Sequence, residues 1–164
     1  MTTEDRKHPF VTYLQDHAQD RAMLAELRRG LGRSPGEAPG MFPYVVPFVH
    51  QRYEENNLYM LASLFALHPA STDEGNMGRH LYQYIGVVGD EAATTRRFVQ
   101  LLNLRRESLD SPLRQHISIL KSKDIPVNWH RLLYDLNYWD HEARFVQKNW
   151  ASEFWRSSNK QAKS

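Results

Sequence analysis

Residues 58–67 read LYMLASLFAL, and this run is apolar around nearly the whole circumference of a helix. Such a helix has no face suited to water, so we expect it in the middle of a hydrophobic core. The next two residues, His68 and Pro69, should end the helix, because helical conformation is disfavoured for the residue before a proline. The run therefore predicts one buried central helix around which the other elements pack.

Helical periodicity extends over most of the remaining chain, and no segment shows the apolar–polar alternation of a half-buried strand. Stripes of apolar residues recur at helical spacing on both sides of the central run. They are Phe10, Val11 and Leu14; Met23, Leu24, Leu27 and Leu31; Trp129, Leu132, Leu133, Leu136 and Trp139; and Val146, Trp150 and Phe154. These patterns predict an all-α protein with about eight to nine helices.

Breaks in the pattern predict how the helices are grouped. Glycines and prolines crowd residues 32–47, which favours a long surface loop that ends in a short helix near Phe48. The polar run 71–76 predicts a hinge between two small helical lobes, residues 8–70 and 77–156. We expect the termini, 1–7 and 157–164, to be flexible.

Capping residues predict where three later helices begin. Asp90 should cap a helix that runs to about Arg106, and Ser111, with Pro112 after it, should cap the following helix. Asn128 should cap the helix that starts at Trp129.

Composition and charge limit the classes of function. Hydrophobic residues make up 41% of the 164, enough to build a core, and the net charge is only +2. Of the 21 basic residues, 15 are arginine. Arginine presents a planar five-donor fork that matches phosphate or carboxylate, so this bias favours recognition of such groups. A GC-rich genome would enrich arginine as well, and composition alone does not separate the two explanations.

The chain lacks the usual signs of export or membrane insertion. It has no cysteine, which excludes disulfides, thiol nucleophiles and zinc–thiolate sites. Residues 1–7 include acids and precede no apolar segment, so we expect no signal peptide. No apolar run approaches the roughly 20 residues that cross a bilayer. We therefore expect a cytoplasmic protein without a membrane partner.

No motif for catalysis or for metal binding is present. The eight histidines form neither the Glu-x-x-His pairs of di-iron bundles nor a His-Glu-x-x-His zinc motif. The Walker phosphate loop and Gly-x-Ser-x-Gly are also absent. We interpret the histidines as surface or hydrogen-bonded groups. The prediction is a protein that is not an enzyme, with no catalytic residue, no metal and no cofactor.

The arginines divide by their position around the predicted helices. With Phe98 in the core, Arg96 points away from the core and Arg97 lies on a flank. Arg106 should lie on the other flank. Arg105 stands seven residues after Phe98, almost in line with the apolar stripe, so we expect it to be a structural arginine.

Two other helices place basic residues on exposed faces. With Leu113, Ile117 and Leu120 inward, an outward strip of Arg114, Ser118 and Lys121 has the ~6 Å steps of phosphates along a strand. By the same reasoning Arg28 lies on a flank and Arg29 is exposed. Ordinary solvated helix faces would give similar patterns. Arg29 has no acid at positions 25 or 33, whereas Arg114 has Asp110 four residues earlier and should pair with it.

The order of motifs along the chain resembles the CasB family, the small subunit of the type I-E CRISPR surveillance complex known as Cascade. The resemblance covers about residues 10–156, and only the ordered set is specific. It comprises Leu27-Arg28-Arg29-Gly30, Pro43 to Phe48, Leu64 to Leu67, Met77-Gly78-Arg79, Arg96-Arg97-Phe98 with Leu101-Leu102, Leu113-Arg114, Ile125 to Trp129, Leu132-Leu133 with Trp139, and Trp150-Ala151 with Phe154. Where many relatives have aspartate after Ile-Pro-Val, this chain has Asn128, which caps a helix equally well.

The resemblance implies a non-catalytic protein of two lobes that is present as two copies in the complex. Its partners would be the other Cascade proteins, the CRISPR guide RNA, the target DNA strands and a second copy of itself. The implied role is to hold the strands of the opened DNA by their backbone while base pairing reads the sequence. The residues that match by position are Arg28, Arg29, Arg52, Arg96, Arg97 and Arg114, and charge and geometry add Arg79, Lys121 and Lys123.

Two other functions remain open at this point. Residues 112–139 could form a helix-turn-helix of a DNA-binding regulator, although Trp129 and Leu132 look like core residues and not like readers of bases. The chain could also be a scaffold that contacts only proteins through its aromatic surface.

Overall fold

The computed structural model describes the backbone of residues 7–163 and the side chains of residues 7–156. Within this range the fold is all-α, as predicted. Its nine α-helices are α1 (Pro9–Asp16), α2 (Arg21–Arg28), α3 (Phe42–Val45), α4 (Glu55–Leu67), α5 (Met77–Val88), α6 (Glu91–Leu102), α7 (Asp110–Ser122), α8 (Trp129–Asn137) and α9 (Phe145–Lys163). Short 3-10 turns lie at Pro39–Met41, Val46–Phe48, Arg52–Glu54 and Arg106–Ser108. The expectation of flexible termini concerns mainly residues 1–6 and the side chains of 157–164, which lie outside the described residues.

Helix α4 forms the centre of the structure. Every residue from Asn57 to Ala66 is buried, so the prediction of a central helix without a solvent face is confirmed. Helices α1, α2 and α3 contact it from the N-terminal half of the chain, and α7 and α8 contact it from the C-terminal half. The Phe65 ring meets the Trp129 ring edge-on at 5.7 Å between centroids. One hydrophobic core runs from Phe10 to Phe154, and the division into lobes 8–70 and 77–156 stays a prediction.

Helices α5 and α9 form a second close contact. At Gly78 an added Cβ would lie 1.9 Å from the Trp150 carbonyl oxygen, so the two helix backbones touch there. Polar groups continue the contact, since the Asn76 N–H donates to Glu153 Oε2 at 2.8 Å and Asn76 Nδ2 donates to the Asn149 carbonyl at 3.2 Å. A side chain larger than hydrogen at position 78 would therefore separate α5 from α9.

Two of the three predicted caps are confirmed. Asp90 Oδ1 accepts from the N–H of Ala93, and Asn128 Oδ1 accepts from that of Arg131. The prediction for Ser111 is wrong, because α7 already begins at Asp110 and no described side chain caps it. Burial of Leu109 draws the preceding 3-10 turn directly onto the helix, and Pro112 is tolerated because it lies within the first turn.

Helix α6 ends at Leu102 and not at about Arg106. Two side chains from later in the chain hold the segment after it in a non-helical path. Trp139 Nε1 donates to the Leu104 carbonyl at 2.8 Å, and an Arg144 Nη donates to the Leu102 carbonyl. These contacts use carbonyl groups at the helix end that have no partner inside the helix.

We predict that Gly78→Ala lowers the free energy of unfolding by about 1–3 kcal/mol, because the methyl group would collide with the Trp150 backbone. The matched control is Gly86→Ala on the same helix, where an added Cβ meets nothing within 4 Å. That change should stabilise the protein by up to about 1 kcal/mol through helix propensity. Urea unfolding of both variants would test the contact, and equal effects of the two changes would contradict it.

Buried histidines make the stability depend on pH. His80 is 1% exposed, and its Nε2 accepts from the Asn128 N–H at 3.0 Å, which requires a neutral ring. Burial lowers the pKa of His80 to about 4, with the Gln83 side chain acting in the opposite direction. Between pH 4 and 6.5 the unfolded chain therefore binds more protons at this residue than the folded chain.

We predict that the free energy of unfolding falls by about 2 kcal/mol through His80 between pH 7 and pH 5. Stability from this residue is fully present above its unfolded-state pKa and is lost as the pH falls towards 4. Urea titrations at several pH values measure how the free energy of unfolding changes with pH. In His80→Gln, whose side chain cannot titrate, the number of protons taken up on unfolding should fall by up to one. An unchanged slope in the variant would show that His80 is not responsible.

Candidate nucleic-acid interface

Residues from four helical segments surround one open groove of about 560 Å³. Arg97 of α6 lies on one side, and α7 contributes the stretch from Arg114 to Ile119, with Ile117 turned into the core. Leu31, just after α2, and Leu67, the last residue of α4, complete it. We call it the α6–α7 groove. Among the described residues no carboxylate lines it, so its electrostatic character is positive.

Arg114 crosses from α7 to the loop after α2. Gly32 has a φ of +76°, and an added Cβ there would lie 2.7 Å from Arg114 Nη1, so glycine leaves room for the guanidinium. Arg114 is consequently half-buried and not fully outward as predicted. The predicted ion pair with Asp110 is also wrong, since no carboxylate of residues 7–156 pairs with Arg114. Asp110 lies beside Arg106 instead, in a separate cavity.

Arg97 and His116 contribute two polar side chains to the groove wall. Arg97 is half-buried, which agrees with its predicted flanking position, and its Nε is buried with no acceptor among the described residues. His116 is only 3% exposed, and its Nδ1 bonds to the Pro112 carbonyl at 2.7 Å, so Nδ1 carries the proton. Burial lowers the pKa of His116, the hydrogen bond to the Pro112 carbonyl opposes this change, and the nearby Arg97 charge adds to it.

The end of α2 carries two further arginines, close in sequence to the groove residue Leu31. Arg28 and Arg29 are both exposed, and the turn in which the Leu31 N–H donates to the Arg28 carbonyl leads directly to Gly32 against Arg114. Arg29 Nε lies 3.9 Å from Glu26 Oε2, a partner three residues earlier that a search of positions 25 and 33 misses. This pair is long and exposed, so it holds Arg29 only weakly.

The remaining predicted residues are exposed but differ in their surroundings. Arg96 on α6 and Ser118 and Lys121 on α7 point to solvent, as predicted, and Lys123 follows α7 in an exposed position. Arg52 is exposed at the start of the 3-10 turn Arg52–Glu54. Arg79 borders a different cavity that also contains Glu74 and Glu153, and its guanidinium lies 5.5 Å from the Tyr82 ring centroid. The structure therefore brings Arg97 and Arg114 together and does not place Arg52 or Arg79 on the groove.

The structural arginine after α6 is Arg106, and the prediction for Arg105 is wrong. Arg105 is exposed, whereas Arg106 is half-buried and its Nε donates to Asn57 Oδ1 of α4. The Arg106 N–H also donates to Asp140 Oδ1 at 2.9 Å. Burial lowers the pKa of Arg106, and Asp110 and Asp140 oppose this change. Because α6 ends at Leu102, helical spacing counted from Phe98 no longer applies at residues 105 and 106. It therefore selected Arg105 and not Arg106 as the structural arginine.

Sequence reasoning missed His116, which lines the groove, and Gly32, which lies against Arg114. His116 lies between the inward positions Leu113 and Ile117, and this spacing could have indicated its burial. No sequence signal indicated that Gly32 contacts Arg114, because the two are far apart in the chain. Within residues 7–156 no group of three or more histidine or acidic side chains could hold a metal ion. Across the described helices, none is long and apolar enough to cross a membrane.

Together these features define a small all-helical protein with a positively charged groove. The chain belongs to the CRISPR-associated Cse2 family, whose family model matches residues 23–155. This result confirms the resemblance drawn from the ordered motifs.

Individual relatives agree with this assignment. A CRISPR-associated protein Cse2 of Thermus thermophilus is 31% identical over 106 residues, a match that covers 63% of this chain and 59% of that protein's length. The crystal structure of CasB from M. ruber superposes with a TM-score of 0.79 at 29% identity, over 96% of this chain and 97% of that one. A chain of a CRISPR RNA-guided surveillance complex, in a pre-nicking state, gives a TM-score of 0.78 at 25% identity, over 93% of this chain and 97% of that one.

We predict that Arg106→Ala lowers the free energy of unfolding by about 1–3 kcal/mol, because Asn57 would lose its buried donor. Arg105→Ala removes the same charge from an exposed position and should change stability by less than about 0.5 kcal/mol. Thermal or urea unfolding of the two variants makes the comparison. A larger loss for Arg105→Ala would restore the original assignment of the structural arginine.

Proposed function

We propose that this chain is a non-catalytic subunit of a type I-E CRISPR Cascade complex that grips nucleic-acid backbone and stabilises the R-loop between guide RNA and target DNA. The observation that carries the proposal is the α6–α7 groove, which both Arg97 and Arg114 line and which no carboxylate of the described residues lines. The family assignment and the similarity to a chain of a surveillance complex support it.

The proposed partners follow from the same family. They are the other Cascade proteins, the CRISPR guide RNA, the two target DNA strands and a second copy of this chain. The site of action is the cytoplasm, where such a complex meets foreign DNA. Exposed aromatic and apolar side chains on residues 42–53, among them Phe42, Val46 and Tyr53, are suited to contact neighbouring proteins in the assembly.

Backbone recognition suits the chemistry of the exposed residues. Guide RNA already reads the target by base pairing, so a protein that only holds the opened strands needs contacts to phosphate and no base code. Arg28, Arg29 and Arg96 offer planar forks for phosphate oxygens, and Lys121 and Lys123 add point charges at the end of α7. The contribution of each of these residues, and of Arg52 and Arg79, is part of the proposal.

The helix-turn-helix alternative lacks the surface that it requires. A recognition helix must present its first residues to the edges of bases. On α8, Trp129, His130 and Leu132 are buried at 0%, 5% and 1% exposure, and Arg131 is half-buried and paired with Asp135 at 3.0 Å. Helix α8 therefore belongs to the core and has no free N-terminal face.

We predict that the double variant Arg28→Ala with Arg96→Ala weakens binding of target DNA by the assembled complex. Each lost contact should also reduce the slope of log K against log salt by about 0.7 if the contacted strand is single. Filter binding or gel shift at several salt concentrations measures both effects. Far-ultraviolet circular dichroism should be unchanged, because both side chains are exposed.

The matched control is Arg21→Ala with Lys148→Ala, which removes two exposed positive charges from positions outside the proposed interface. It should leave R-loop stability unchanged. If Arg28→Ala with Arg96→Ala retains full R-loop stability, or if the control variant loses as much, these residues do not hold DNA. A scaffold that contacts only proteins would then be the better description.

A further inference from the structure

The helical run from residue 39 to residue 48 has a buried side and an exposed side. It joins a 3-10 turn, α3 and a second 3-10 turn without a break. Met41 and Val45 on the inner side are buried in the core. Successive helical residues turn by ~100°, so the four exposed residues of the run lie within ~140° of its circumference. They are Phe42, Pro43, Val46 and Pro47, and we call this apolar surface the α3 face.

The α3 face is rigid and open to solvent. Phe42 is 40% and Val46 is 53% exposed. Pro43 and Pro47 make up the other half of the face, and proline fixes φ and has no N–H. The Phe42 ring is held edge-on against Tyr59 of α4, at 6.3 Å between centroids. A partner that covers this face therefore orders little that is not already ordered, and binding loses little entropy.

One unpaired cation lies in the segment that follows the α3 face. Arg52 is the only lysine, arginine, aspartate or glutamate between positions 38 and 53. Its 3-10 turn leads directly into α4, whose first residue lies one helical turn before Tyr59, the residue on which Phe42 packs. Arg52 is exposed, and no carboxylate of residues 7–156 forms an ion pair with it. Tyr53 beside it is 70% exposed and extends the apolar surface.

The two acids that follow in the chain do not neutralise Arg52. Glu54 is 7% exposed, and its Oε1 lies 2.8 Å from His8 Nε2 and accepts from Asn137 at 3.0 Å. Glu55 is half-buried and lies close enough to Tyr59 to add to the effect of burial, which raises the pKa of the Tyr59 hydroxyl. The surface therefore combines an apolar face with one positive charge that has no acidic partner in residues 7–156.

Size and charge indicate what this surface binds. Nucleic-acid backbone is held by several cations along its phosphates, and Arg52 stands alone here. Two free copies of the chain would need about 20–30 residues on each side for a stable interface, whereas the α3 face with Arg52 and Tyr53 provides six. A protein that is also held at other points in one assembly has a high effective concentration, so a small contact is enough to bind it.

We propose that the α3 face docks a different protein of the Cascade assembly, an inference that rests on the proposed function. The partner segment carries apolar side chains, which cover Phe42, Val46 and the two prolines, and a carboxylate, which pairs with Arg52. Arg52 then contacts protein in place of phosphate. This contact orients the chain in the assembly and leaves the α6–α7 groove free for nucleic acid.

The test measures how tightly the chain joins the assembly. The complex is assembled on guide RNA without this chain and is titrated with the labelled full chain in the absence of target DNA. Val46→Glu places a charge in the apolar contact and should weaken association about tenfold. The matched control is Val87→Glu, the same change at a valine of α5 that is 63% exposed, and its affinity should be unchanged. Because both valines are exposed, urea unfolding of both variants should resemble that of the unaltered chain.

Charge reversal tests for the carboxylate of the partner. Arg52→Glu should weaken association about tenfold, because two carboxylates would then face each other. Arg21→Glu makes the same change at an exposed position of α2 and should have no effect on association. Binding of the free chain to labelled oligothymidylate separates the two uses of Arg52. If Arg52 contacts protein, Arg52→Glu and Arg21→Glu should bind this strand equally.

The outcomes distinguish the possible occupants of the face. Unchanged affinity of Val46→Glu for the complex overturns the docking, and so does an equal loss in Val87→Glu. A dimer of the free chain that Val46→Glu dissociates, seen by sedimentation, assigns the face to a second copy instead. Weaker oligothymidylate binding by Arg52→Glu, with normal association, returns Arg52 to phosphate and overturns the carboxylate.

Failure of the proposed function has a separate signature. If the unaltered chain does not join the complex, the proposed function is wrong and the docking falls with it. If Val46→Glu joins normally while Arg28→Ala with Arg96→Ala still weakens target binding, the proposed function stands and only the docking is overturned.

Discussion

The need to cover helix α4 on every side governs the rest of this structure. Each fully buried leucine, phenylalanine or methionine contributes about 1.5–3 kcal/mol relative to exposure, and α4 has such residues around its whole circumference. Helices from both halves of the chain must therefore pack on it, which brings α2 and α7 to the same helix although they are far apart in sequence. Leu67, the last residue of α4, then reaches the α6–α7 groove. The groove is a consequence of how this one helix is covered.

Polar side chains at the start of α4 fix the orientation of this otherwise apolar helix. Asn57 donates to Asn137 Oδ1 at 2.7 Å and accepts from Arg106, and Asn137 in turn donates to Glu54 Oε1 at 3.0 Å. Glu54 also lies 2.8 Å from His8 Nε2. Hydrogen bonds are directional, whereas hydrophobic contacts are not. This hydrogen-bonded network therefore fixes how the start of α4 is oriented against the neighbouring segments. It also explains why Arg106 is held inside while its neighbour Arg105 faces water.

Most of the fold could be predicted from local pattern, because an apolar stripe and a cap both act within a few residues. The stripes through Phe98 and Trp129 and the caps at Asp90 and Asn128 are of this kind. The errors occur where residues far apart in sequence determine the local structure. Trp139 helps to hold the segment where α6 ends, and this moves Arg105 out of helical phase. Gly32 determines where the Arg114 side chain lies, and this is why Arg114 is half-buried and not fully outward as predicted. The exposure of Arg29 and Arg96 depends only on helical phase, and it was predicted correctly.

The difference between half-buried and exposed cations also predicts which of them affect the dissociation rate of a bound strand and which affect its association rate. Arg97 and Arg114 are already restrained by packing, so a ligand that meets them loses less side-chain entropy than one that must order a free side chain. They should act mainly on how long a strand stays bound. Arg28, Arg96 and Lys121 extend into solvent, where charges raise the rate of encounter and are screened by salt. If the proposed function holds, such a surface would attract a strand through its rim and retain it through the groove.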